Sequence, residues 1–74
     1  MNALIIVKQD NRNTNVIDTI QCDPDEDWDI LDYKYHEYLY NSDSIKSCFI
    51  NKEKMEAEIV CDAEKTIFII MKIK

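Results

Sequence analysis

Between Asp23 and Asp32 the chain carries six carboxylates in ten residues and no basic group: Asp23, Asp25, Glu26, Asp27, Asp29 and Asp32. Carboxylates at this density can chelate a cation, exchange protons as a pair, or attract a basic partner. Chelation is the most exacting. Asp23, Asp25 and Asp27 fall at the first, third and fifth positions of an EF-hand calcium loop. The sixth position, where glycine makes the sharp turn, is Trp28, and the twelfth, where a bidentate glutamate belongs, is Lys34. No metal is expected here. Proton transfer fares no better. His36 has Asp32 four residues before it on one helical face, but there is no recognisable nucleophile for it to activate. Glu56 and Glu58 alternate along a strand, which is the pattern of a solvated face. Cys22, Cys48 and Cys61 are odd in number, widely spaced and without a Cys-x-x-Cys pair, so they read as buried free thiols. The chain has no glycine, which excludes the phosphate-cradling P-loop and the dinucleotide fingerprint. No catalytic residue and no cofactor are assigned, and an enzyme ranks last among the readings.

Attraction of a basic partner remains. The formal net charge is −6, from 15 acidic and 9 basic residues. Outside residues 23–32 the acids and bases cancel at nine each, so the whole excess lies in that run. Such a field repels nucleic acid and anionic membrane and steers basic partners. Direct binding to either is not expected. If the run is helical, a rise of about 1.5 Å per residue spaces its charges at roughly 2.5 Å. B-DNA presents about one charge per 1.7 Å. A nucleic-acid-binding surface could therefore accept this ridge in place of a phosphate backbone.

The elements that must position the run follow from apolar periodicity. Residues 1–74 make a single domain at this length. Ala3–Gln9 is apolar on both faces and reads as a central strand. Asp10–Asn13 is a turn, with asparagine at positive φ in place of glycine. Thr14–Gln21 completes a hairpin. Asp23 can cap a helix with Pro24 in its first position and Glu26 closing a capping box, and Asn41 suits a left-handed stop. Ile45–Ile50 fits either a strand or a short helix, and a strand is favoured. Met55–Cys61 alternates, Asp62–Lys65 turns the chain, and Thr66–Ile73 is a second strand apolar on both faces. The predicted fold is α+β: a small, mostly antiparallel sheet of four to five strands (ββαβββ), ordered 2-1-5-4-3, with one acidic helix on one face. The apolar run Ala3–Val7 is too short for a signal segment, and no stretch approaches a membrane span, so a cytoplasmic protein is expected.

On a helical wheel Trp28, Leu31, Tyr35, Tyr38 and Leu39 share one arc and should pack on the sheet. Asp29, Tyr33, His36, Glu37 and Tyr40 share the opposite arc. All four tyrosines and the only tryptophan lie within residues 28–40. Carboxylates take arginine bidentately and tyrosine faces stack on its guanidinium, so this face suits an arginine-rich surface. A merely solvated helix is the bland alternative. The candidate partner-binding set is Asp25, Asp27, Asp29, Asp32, Tyr33, His36, Glu37 and Tyr40. In size, acidity and lack of catalytic residues, with the run DPDEDWDILD, the chain is similar in type to small inhibitors made by phages and mobile elements. These include DNA mimics, anti-CRISPR proteins and uracil-DNA glycosylase inhibitors. The resemblance implies a partner that is a larger protein with a basic nucleic-acid-binding surface. An antitoxin or immunity protein masking a basic toxin is the alternative. The Thr14–Gln21 and Ile45–Ile50 strands carry few charges to block edge pairing, which suggests a homodimer through a sheet edge.

Overall fold

The computed structural model describes residues 1–73. Its elements are β1 (Asn2–Asp10), β2 (Thr14–Cys22), α1 (Asp27–Tyr40), β3 (Ile45–Asn51), β4 (Glu56–Cys61) and β5 (Glu64–Lys72). The five strands form one antiparallel sheet in the order β2-β1-β5-β4-β3, and the helix packs on one face over β1, β5 and β4. The class is α+β with the order ββαβββ. The two strands that are apolar on both faces take the centre, and residues 45–50 are strand, with Cys48 opposite Ile59 and Ile50 opposite Ala57.

Local chemistry at the turns departs from expectation. Positive φ is found at Ser44 (58°) and Met55 (53°), not in the 10–13 turn. That turn is closed by the Asp10 side chain. Its Oδ1 accepts the N–H groups of Arg12 and Asn13, both at 2.8 Å, and these bonds hold the Asp10 carboxyl below its ordinary pKa. A side chain that supplies the turn's hydrogen bonds removes the need for a left-handed asparagine. The capping box is also absent. Residues 23–26 form a separate turn in which Glu26 N–H donates to the Asp23 carbonyl at 2.9 Å. The helix starts at Asp27, with Glu26 as an N-cap whose side chain makes no capping bond. At the other end Asn41 is the C-cap, but at φ −98° and ψ 5° rather than left-handed. Its Nδ2 donates to the Glu37 carbonyl at 2.8 Å, and Ser42 Oγ donates to the Tyr38 carbonyl at 2.6 Å. These polar side chains satisfy the last carbonyls that a Schellman turn would otherwise take.

The core is the layer between helix and sheet. Leu4 and Ile6 of β1, Ala57 and Ile59 of β4 and Phe68 of β5 meet Leu31 and Tyr35 of the helix, and all are buried. Trp28, Tyr38 and Leu39 pack around them half-buried, as the helical wheel predicts. Phe68 is the centre. Tyr35 and Tyr38 stand edge-on to its ring at centroid distances of 5.8 and 5.4 Å, an arrangement that adds quadrupole attraction to burial. Of the cysteines only Cys22 is buried; Cys61 is half-buried and Cys48, on the edge strand β3, is exposed.

The second face of the sheet has no covering layer. The registers place Ala3, Ile5 and Val7 of β1 beside Met71, Ile69 and Ile67 of β5 on that side. Ala3 is buried among its neighbours, but Ile5, Val7 and Ile67 are only half-buried, and Ile69 and Met71 are exposed. Apolarity on both faces correctly marks the central strands, yet the described residues cover only one face.

Two outcomes check this account. Phe68→Ala lowers the unfolding free energy in dilute protein by about 3–5 kcal/mol, whereas Ile69→Ala costs about 1 kcal/mol or less. Equal losses in urea titrations would contradict the one-sided core. The Tyr35 pKa is pushed up from 10.0 to about 12, first by burial and then by the neighbouring Cys48 thiol. The folded state prefers the protonated phenol, so its contribution is complete below the unfolded value and is lost as pH rises through the folded one. Alkaline melts of the wild type should steepen over that window, and Tyr35→Phe should flatten the loss. An unchanged slope would remove Tyr35 from the linkage.

Candidate functional site

The acidic run divides in the structure into a turn and the first part of the helix. Asp23, Asp25 and Glu26 lie in the turn, fully exposed, with their carboxylate oxygens within 4.8 Å of one another. Crowding raises the Glu26 pKa, first through a hydrogen bond shared with Asp23, then through the charges of Asp23, Asp25 and Asp29. Only Asp27, Asp29 and Asp32 are helical. An even ladder of charges at the helical rise is therefore replaced by a cluster followed by a short ridge.

Asp27 leaves the exposed set. It is half-buried, its Oδ2 accepts Asn2 Nδ2 at 2.8 Å and its Oδ1 accepts Trp28 N–H at 2.6 Å. It ties the start of the helix to the first residue of β1. Nothing near Asp27 in sequence points to Asn2, which lies 25 residues away. Cys22 sits close by. Burial, then the charges of Asp27, Glu26 and Asp23, push its thiol pKa up, so it stays protonated and unreactive.

The other predicted residues lie on the outward face of the helix. Asp29 is exposed, Tyr33 is 66% exposed and Tyr40 is 85% exposed. His36 Nδ1 lies 2.8 Å from the Asp32 carbonyl and 3.2 Å from Asp32 Oδ1, so the histidine is held against its own helix. Lys34 reaches Glu37 Oε1 at 3.2 Å, and this bond raises the lysine pKa. Glu37 is therefore partly neutralised, a pairing that its i,i+3 spacing already announced. Asp32, Tyr33, His36, Glu37, Tyr40 and Asn41 line a shallow groove of about 530 Å³. Asn41 was not foreseen as part of it.

The distribution of bases completes the electrostatics. Lys8 pairs with Glu64 at 3.4 Å, Lys46 with Asp62 at 3.7 Å and Lys65 with Glu58 at 3.1 Å, all away from the acidic run. Lys52 stands 5.4 Å over the Trp28 ring. Among the described residues, Asp23, Asp25, Glu26 and Asp29 have no salt-bridge partner. The chemistry available is long-range attraction of cationic groups at the turn and close contact along the tyrosine face. No described helix is long and apolar enough to cross a membrane.

Uncompensated crowding in the turn should cost stability. Glu26→Gln raises the melting temperature at low ionic strength, and added salt shrinks the gain by screening the wild-type repulsion. A fall in melting temperature on this substitution would mean that the cluster stabilises the fold.

Comparison of the chain with protein-family models, with curated proteins and with solved structures finds no match.

Proposed function

We propose that the chain is a non-enzymatic binding protein that covers a basic, nucleic-acid-binding surface of a larger protein. The observation that carries this reading is the group Asp23, Asp25, Glu26 and Asp29, exposed and without a basic partner among the described residues, running into a helix face that presents Tyr33 and Tyr40. Charge clustered at one end attracts a cationic surface over a range of about 8–10 Å at physiological salt. The tyrosines then supply contact area at low entropic cost, with hydroxyls for polar partners. Asp25, Asp29 and Asp32 provide charge and Tyr33 and Tyr40 provide area. His36 and Glu37 floor the groove between the two rings. Asp27 acts indirectly, by holding the helix start against β1. An inhibitor of a nuclease or CRISPR effector is the most concrete form of this activity.

The test is affinity capture from lysate of the native host, comparing the wild type with Asp29→Lys/Asp32→Lys. Both side chains lie on the outward face, so the reversal leaves the core intact. The expected result is a captured protein that duplex DNA or structured RNA displaces and that the double variant does not retain. Capture that survives both the reversal and excess nucleic acid would overturn this reading and favour an antitoxin-type or immunity-type partner.

A further inference from the structure

The uncovered sheet face carries an inference that does not depend on the acidic helix. Three strand registers lay it out as four rows: Gln21–Ala3–Met71, Thr19–Ile5–Ile69–Glu56, Val16–Val7–Ile67–Glu58 and Thr14–Gln9–Lys65–Val60. The centre, over β1 and β5, is wholly apolar: Ile5, Val7, Ile67 and Ile69, extended by Ala3 and Met71. Polar groups lie to either side. Thr14, Thr19 and Gln21 stand with Val16 on β2, Glu56 and Glu58 stand with Val60 on β4, and Phe49 of β3 lies beyond Glu58. Lys65 bonds Glu58 at 3.1 Å, so this face carries little of the net charge of the chain. Val16 is 62% exposed, Met71 53% and Ile69 37%, with nothing among the described residues to cover them.

We infer that this face is the interface of a homodimer in which two sheets pack face to face. A two-fold axis along the strands, between β1 and β5, sets β1 of each copy over β5 of the other and β4 of each over β2 of the other. The apolar centre then meets itself. Each row then lies over itself: Glu56 falls opposite Thr19, Glu58 opposite Val16 and Val60 opposite Thr14, a mixed rim around the apolar core of a self-complementary contact.

Area and charge both favour a second copy. Four overlapping strands at about 4.8 Å spacing and eight residues at about 3.3 Å give a footprint of roughly 500 Å² per copy. The pair buries about 1,000 Å², the lower bound for a specific interface, so the dimer is weak and concentration-dependent. Sheets packed about 10 Å apart leave the helices on the two outer surfaces, roughly 30 Å from each other. That is about three Debye lengths at 0.1 M salt, so the acidic runs do not oppose the association. They would oppose any pairing through the helices. The edge strands offer less. β2 is interrupted where Ile17 is left out of the register between Ile6 and Val7, and β3 loses register at Lys46.

Sedimentation equilibrium across a dilution series tests this with the intact chain. The wild type should move from the 8.8 kDa monomer toward twice that mass as concentration rises. Ile69→Lys should hold the monomer mass at every concentration, with its circular dichroism spectrum and helix unchanged. If Ile69→Lys does not fold, Met71→Lys, at a more exposed site, gives the same readout. A wild type that stays monomeric throughout overturns the proposal, and bound anilinonaphthalene sulfonate on that monomer would show the face to be open for another partner. A dimer that persists in Ile69→Lys or Met71→Lys also overturns it and points to an edge strand.

Discussion

One helix covers one face of a five-stranded sheet, and the molecule depends on that contact. A helix of fourteen residues is marginal alone and is held by burying Leu31 and Tyr35 against the sheet. The sheet in turn has no other source of a water-free core. Phe68, at the meeting point of β1, β5 and the helix, joins the two through the rings of Tyr35 and Tyr38. Outside that layer lie most of the edge strand β3, which contributes Ile50 to the core, the outward helix face and the second side of the sheet.

The same contact decides what the acidic run can do. The chain leaves β2 at buried Cys22 and must climb onto the sheet before the helix can begin, and residues 23–26 provide that step as a turn. Asp27 turns inward to Asn2 and fixes where the helix starts. The remaining carboxylates face outward, and among the described residues no base pairs with Asp23, Asp25, Glu26 or Asp29. Charge that weakens the fold through self-repulsion and is left without compensation is a feature expected of a surface kept for a partner.

The acidic group and the bare apolar face lie on opposite sides of the sheet. The proposed contacts, with a cationic partner and between copies, would therefore not compete for area. Two copies joined through their sheets would present two acidic helices facing away from each other.

Much of this was legible in the residues. Apolarity on both faces marked β1 and β5 as central, hairpin spacing gave the strand order, and the helical wheel separated Leu31 and Tyr35 from Tyr33 and Tyr40. Charge arithmetic located the whole excess in ten residues. These properties are carried by periodicity and composition, which are local. The tertiary structure alone decided the rest. The tie between Asn2 and Asp27 spans 25 residues, and no local pattern encodes it. The helix start moved because the climb from β2 onto the sheet outweighed a favourable capping sequence. Cys48 is exposed because β3 takes the edge of the sheet. One face of the central strands is bare because a chain of this length has a single helix with which to cover two faces, and only packing determines which face it takes.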